Sequence, residues 1–309
     1  MIDGIPNVFN SFQHIVQAMN LRKPSSIYIL LVIVFWASTA AVGKLLLREL
    51  SNMQLLFYIC IFAAFSIFVT ILFQHKVAMI TRYSITDYAN FLIMGFLGVF
   101  LYTFCLFEAI NYLSAHEAFI LNYLWPILVV VFSAIFFKEV FTAKKLLGII
   151  FSFGGVLVLF TKGDIQTITL DNLTGTVYAL IGAITYALYS VIGKHQEYDK
   201  YVSTMFNYLF AALFTLPFLR SSFHLPSFSI LQWSALLWLG VFANGFAFVF
   251  WFQALRFGDT SQITNLVYFT PFLSIVYSYF ILGEEILMTS FVGLILIIFG
   301  IFIQFVKTK

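Results

Sequence analysis

Charge is what this 309-residue chain has least of. Asp, Glu, Lys and Arg together make up 9% of it, against roughly 25% in a soluble domain. Hydrophobic residues make up 62%, and forty Phe and sixteen Tyr are among them. No water-soluble domain hides that much apolar surface, so the composition excludes one and implies a polytopic helical membrane protein. The net charge of +3 is small. Lys and Arg are scattered through short loops without a basic patch, so nucleic acid is not an expected partner. Cysteine is nearly absent: Cys60 and Cys105 both lie inside apolar runs. They are expected to be small buried hydrophobes rather than a disulfide. The five histidines, His14, His75, His116, His195 and His224, fall at the ends of apolar runs or between them. No His-Glu-x-x-His pattern, paired-Cys pattern or Gly-rich phosphate loop exists, so no metal, cofactor or enzymatic centre is expected. Met1 to Asn20 lacks a basic stretch followed by an apolar core, so no cleavable signal peptide is expected. Ile5, Val8, Phe9, Phe12, Val16 and Met19 recur at helical spacing. That pattern suits either a short helix on a membrane surface or a disordered tail.

What is present is a succession of apolar runs. Ten spans are predicted, at about 27–47, 53–74, 89–112, 116–137, 144–161, 173–194, 201–219, 230–255, 260–282 and 288–306. Each is near the length that crosses a hydrocarbon core. The fold class is therefore all-α integral membrane, with residues 1–26 as an N-terminal segment. If the N-terminus is cytoplasmic, twelve of the sixteen Lys and Arg residues fall on the inside and four, Lys44, Arg48, Lys162 and Arg220, outside. The positive-inside rule then puts both termini in the cytoplasm.

Proline is also scarce, with six in the chain, and two sit deep in apolar runs. Asn122-Tyr123-Leu124-Trp125-Pro126 and Tyr268-Phe269-Thr270-Pro271 should each open a helix, because proline lacks an N–H and clashes with the carbonyl four residues back. Those carbonyls belong to Asn122 and Val267. The two breaks are related by an internal repeat. Adding 145 carries Gly95 to Gly240, Tyr123 to Tyr268, Pro126 to Pro271, Ser133 to Ser278, Glu139 to Glu284, Gly148 to Gly293 and Gly155 to Gly300. Near the start of each half the offset is 150, which pairs Trp36 with Tyr186, Gly43 with Gly193 and Lys44 with Lys194. Each half, 27–161 and 173–306, holds five spans. An odd number inserts the second copy upside down, and paired broken helices in inverted repeats point to a carrier's binding site at mid-membrane.

These features resemble the ten-helix drug/metabolite transporter (DMT) superfamily with paired EamA repeats, over essentially all of 27–306. The shared marks are Phe137-Lys138-Glu139 and Leu282-Gly283-Glu284, each followed by a helix with two spaced glycines. The family usually has Gly-Glu there, and this chain has Lys138 in the first copy. Asn122 to Pro126 and Tyr268 to Pro271 look like the bacterial aromatic amino-acid exporter branch. Trp36 matches a Trp of that branch, and Tyr186 stands where a second Trp is usual. The resemblance implies a secondary transporter in the cell (inner) membrane that exports amino acids, aromatic ones first, by alternating access. Uptake of a nucleoside-like metabolite is the alternative, and a passive channel or membrane enzyme a more distant one. The expected partners are a small-molecule substrate and the lipid bilayer, with a homodimer left open.

The candidate cavity residues are Trp36, Asn122, Tyr123, Trp125, Tyr186, Tyr189, Asn265 and Tyr268. The aromatics suit a flat ring or an organic cation, or else are ordinary core and lipid-facing residues. Asn122 either binds a substrate amino or carboxyl group or caps the carbonyl that Pro126 frees. Asn244, Asn265 and Thr270 carry the same two readings, and Ser261, Asn265 and Tyr268 share one helix face. Pro126 and Pro271 are the expected flexing points. Glu108, whose repeat mate is Gln253, either couples transport to protons, an apolar setting raising its pKa, or reaches interfacial water. Ser114 and Glu117 read as a capping box, with Asp259 and Gln262 as its counterpart.

Overall fold

A computed structural model of the protein describes residues 24–140, 142–219 and 228–305. Among them there is no strand. The helices are α1 (Pro24–Leu46), α2 (Asn52–Phe73), α3 (Ile85–Tyr112), α4a (Ala115–Asn122), α4b (Trp125–Phe137), α5 (Ala143–Thr161), α6 (Leu173–His195), α7 (Lys200–Leu219), α8 (Ile230–Phe257), α9a (Thr260–Val267), α9b (Phe269–Leu282) and α10 (Met288–Phe305). Among the described residues, nine helical stretches are long and apolar enough to cross a membrane, and Met288–Gln304 is a shorter apolar helix. The ten expected spans are thus the ten helical stretches found. α1 begins at Pro24, inside the expected N-terminal segment; the proposed surface helix of that segment falls outside the described residues. Phe65, Phe280 and Ile295 are exposed by 63%, 77% and 64%. Such outward apolar side chains suit a hydrocarbon environment.

The helix starts are set by local chemistry. Ser51 with Gln54, Ser84 with Asp87, Ser114 with Glu117 and Ser229 with Gln232 each form a reciprocal capping box, which satisfies backbone donors that a first turn leaves open. The Glu117 carboxylate also accepts from the backbone N–H of Thr169 and of Leu170, both at 2.9 Å. It therefore ties the start of α4a to the loop between the two halves. Asp259 accepts from the Gln262 N–H at 3.0 Å.

The helix ends α4b and α9b use one device. Lys138 and Gly283 stand just past them at φ +53° and +71°, a left-handed conformation that only glycine adopts without steric cost. Glycine at this position thus has a backbone reason, and Lys138 bears strain that Gly283 does not. Gly283→Ala is expected to lower stability by about 1 kcal/mol. Lys138→Gly should shift the melting temperature in detergent the other way.

The two halves interlock. α2 packs on α7, α5 on α10, α6 on α3 and α8 on α1. At the crossing of α5 and α10 a Cβ on Gly155 would lie 2.5 Å from the Gly293 carbonyl, and one on Gly300 would lie 2.4 Å from that of Gly148. The four glycines that the repeat pairs as 148/293 and 155/300 meet instead as 148/300 and 155/293. That crossed pairing is what an inverted copy produces. Both α3 and α8 carry a wider π turn, at Phe96–Leu101 and Trp238–Phe246; a shift of 145 lays the first on 241–246 within the second. Such bulges cluster at functional sites. The two cysteines are buried free thiols, as composition implied.

Candidate functional site

Both breaks are present where proline placed them. The first leaves Tyr123 and Leu124 outside helix, between α4a and α4b, and the second leaves Tyr268 between α9a and α9b. Their tyrosines face each other, with ring centroids 6.5 Å apart. The Tyr268 hydroxyl donates to the Tyr123 carbonyl at 3.3 Å. One repeat therefore caps the break in the other. The capped carbonyl is that of Tyr123, one residue past the one that proline geometry singles out, because two residues of turn separate α4a from α4b.

Beside the breaks lies a cluster of aromatic rings drawn from five helices. Trp36 of α1 is 6.2 Å from Trp125 of α4b and 6.2 Å from Tyr186 of α6. Trp125 and Tyr186 are 4.8 Å apart and nearly perpendicular. Two rings from α8 complete the group: Phe248, 5.6 Å from Trp36, and Trp251, 5.4 Å from Trp125. Tyr102 of α3 stacks at a tilt on Tyr186 at 4.6 Å. Edge-to-face pairs at these separations gain quadrupole attraction as well as burial. Tyr189 joins the edge, 5.0 Å from Phe252, and its ring fills the space that a Cβ on Gly98 would need. The rings touch, so a ligand enters only where they part.

Polar atoms sit among the rings. The Asn122 amide donates to the Tyr102 hydroxyl at 3.4 Å, a long bond, so its nitrogen does not cap its own helix. Trp251 Nε1 donates to Ser190 Oγ at 3.0 Å. Among the described residues, Asn122 Oδ1 and the Tyr186 hydroxyl, and elsewhere on α4b, α9a and α9b Ser133 Oγ, Ser261 Oγ, Thr270 Oγ1 and both side-chain polar atoms of Asn265, are buried without a hydrogen-bond partner. Each such group costs about 1–3 kcal/mol, so several together in one protein call for an explanation.

The structure thus brings Trp36, Trp125, Tyr186 and Tyr189 into one cluster, with Asn122 reaching it through Tyr102. It places Tyr123 and Tyr268 at the breaks and Asn265 on the buried face of α9a. Glu108 is half-buried in the last third of α3; among the described residues it makes no hydrogen bond to this cluster. Tyr102, Phe248 and Trp251 were not foreseen. Their repeat mates are Ala247, Thr103 and Leu106, so symmetry does not mark them. The signal that was available is the spacing of Phe248 and Trp251, three apart on the eighth span.

At the end of the bundle where α1 begins, here the near end, Glu139 is bound by three groups. Lys194 forms an ion pair with it, the Thr260 hydroxyl donates at 2.6 Å, and His195 Nε2 lies at 3.2 Å. Burial alone would raise the Glu139 carboxyl, but the Lys194 and Thr260 hydrogen bonds and the lysine charge hold it below its ordinary value. The Glu139 carboxylate is therefore charged at neutral pH, and on the acid side the pair is lost as pH falls through the carboxylate range. A second pair, Lys145 to Asp259 at 2.6 Å, lies beside it. A crevice with room for about one water lies here, lined by Ser133, Glu139, Lys145, Thr260 and Ser261 among others. At the far end Lys44 pairs with Glu284 at 2.8 Å.

Comparison with known proteins gives the family. The model of the EamA-like transporter family matches twice, over residues 23–161 and 173–306. A protein of Archaeoglobus fulgidus described as an uncharacterized transporter is 25% identical over 93% of this chain and 99% of its own length. One of Clostridium kluyveri with the same description is 25% identical over 93% and 94%. The uncharacterized transporter YetK of Bacillus subtilis is 29% identical over 71% and 68%. A chain of known crystal structure shares the fold, with a TM-score of 0.77 at 22% identity over 91% of this chain and 97% of that one. With two family matches that together span most of its length, a repeat inverted about the α5–α10 crossing and ten apolar helices, this chain belongs to the EamA-like transporter family, a multi-pass membrane transporter.

Proposed function

We propose that the transported solute is an aromatic amino acid or a closely related aromatic metabolite, carried by alternating access and in the export direction. In this reading the protein lies in the cytoplasmic membrane with both termini inside, so the near end faces the cytoplasm. The observation that carries it is the ring cluster of Trp36, Trp125, Tyr186, Phe248 and Trp251 lying beside buried polar atoms without partners. A solute ring replaces ring–ring contacts when the cluster parts. Its amino and carboxyl groups meet Asn122 Oδ1 and the Tyr186 hydroxyl, and Asn265 supplies further capacity. Binding then satisfies atoms that are costly when unpaired. Pro126 and Pro271 let α4b and α9b swing against α4a and α9a.

Three of the five tryptophans belong to the cluster, which supplies the test. Purified protein titrated with Phe and Tyr should show saturable changes in tryptophan emission, and Trp36→Phe, Trp125→Phe and Trp251→Phe together should remove most of the signal. A saturable response to nucleosides with none to amino acids would favour the uptake reading instead.

Glu108 is assigned proton coupling on the same footing, since it is a half-buried carboxylate within a membrane span. Glu108→Gln is expected to leave downhill exchange near the parent's rate. The same change should remove the response of flux to an imposed pH gradient, measured in vesicles with a pH jump.

A further inference from the structure

We infer that the two repeat-related Lys–Glu pairs are the gates of the carrier, one at each end, and that they are built unequal so that the near gate holds more tightly. This deepens the alternating-access reading and rests on it.

The pairing is dictated by the repeat. The offset of 150 relates Lys44 to Lys194, and the offset of 145 relates Glu139 to Glu284. In the structure each lysine reaches the glutamate of the other half: Lys194 of α6 to Glu139 beyond α4b, and Lys44 of α1 to Glu284 beyond α9b. The two contacts are thus one contact made twice, at opposite ends of the bundle. The backbone prepares both in the same way. The N–H of Glu139 bonds the Ser133 carbonyl, and the N–H of Glu284 bonds that of Ser278, so each left-handed turn presents its carboxylate at the tip of the mobile half of a broken helix. When α4b swings, Glu139 moves with it, and Glu284 moves with α9b.

The surroundings of the two pairs differ. Lys194 and Glu139 have side-chain exposures of 14% and 27%, and Thr260 bridges them by accepting from Lys194 and donating to Glu139. Lys145 and Asp259 add a second tie between the halves at the same end. The mate of Asp259 is Ser114 and that of Lys145 is Ser290, so the far end has no copy of this tie. There Lys44 and Glu284 are 61% and 49% exposed. A solvated pair of long side chains holds weakly, whereas a shielded, bridged network holds more firmly. Glu139 lines a small crevice together with Ser133, Thr260 and Ser261, and a vestibule would open there once the near pair separates.

The test uses thiol accessibility in sealed membrane vesicles of known orientation, with a membrane-impermeant maleimide. Ser261→Cys reports on the near end and Ser278→Cys on the far end. The parent's Cys60 and Cys105 are buried and serve as the unlabelled background. Glu139→Gln should raise labelling of Ser261→Cys about tenfold and lower that of Ser278→Cys. Glu284→Gln should do the reverse, with a smaller change. The charge swap Glu139→Lys with Lys194→Glu should return both sites toward the parent's level. A local structural role would raise both sites together. That result, or no change at either site, overturns the inference. If Glu139→Gln fails to fold, Lys194→Gln is measured in its place: a rise at Ser261→Cys with a fall at Ser278→Cys supports the gate, and joint exposure or no change at either site refutes it. No substrate enters the measurement, so a wrong substrate assignment leaves its outcome unaffected.

Discussion

Trp125→Ala is expected to reduce flux at least tenfold while the protein still inserts and purifies as the parent does. Trp125 is 4% exposed and touches Trp36, Tyr186 and Trp251, so it is the ring through which α4b joins the cluster. Its loss removes a wall of the site and three edge-to-face or near-perpendicular contacts, each worth about 0.5–1.5 kcal/mol beyond burial. Removing an indole from a packed interior also costs about 3–5 kcal/mol of stability. Two effects are therefore superposed, and Trp125→Phe separates them. The phenyl ring keeps part of the wall and most of the packing. Its flux should fall less than that of the alanine variant, with a melting temperature close to the parent's. Equal and complete loss of flux in both variants, with unchanged stability, would show that the indole N–H matters rather than the ring.

Gly300→Leu is expected to have the largest effect on folding. Even a Cβ at this position lies 2.4 Å from the Gly148 carbonyl and 2.3 Å from Ser152 Oγ. The obstruction is partly backbone, so no rotamer change relieves it. Overpacking typically costs about 1–3 kcal/mol where side chains can adjust, and here two helices must separate. The α5–α10 seam holds the two repeats together, so little folded protein should survive extraction in detergent. Gly154→Leu is the control, because a Cβ there meets nothing within 4 Å. It lies one residue from Gly155 and should melt near the parent's temperature. Size-exclusion profiles and thermal melts of the pair give the answer.

The spans, breaks and repeat were legible because each rests on a strong local cause. Long apolar runs allow little but membrane helices, proline at 126 and 271 has a fixed steric consequence, and Ser114 with Glu117 carries its own capping geometry. The glycines were legible as a repeat but not as contacts. An offset matches Gly148 with Gly293, whereas inversion brings Gly148 against Gly300, and only three-dimensional packing supplies that exchange. The site was half legible. Trp36 and Tyr186 stood out through the repeat and Trp125 through its neighbour Pro126, but Tyr102 and Trp251 have mates of different character, Ala247 and Leu106. A search for what the halves share passes over the residues by which they differ. The π turns left no clear trace, and neither did the close packing of Gly95 on α7 and of Gly240 on α2 beside or within them.

The central claim is that an aromatic solute crosses through the cluster centred on Trp125. Reconstituted into sealed liposomes and offered labelled Phe, Tyr, Trp, aliphatic amino acids and nucleosides, the protein should move the aromatic amino acids saturably. The Trp125→Ala protein should not do so above the rate of empty liposomes. Transport of a nucleoside with none of Phe, Tyr or Trp would contradict the claim.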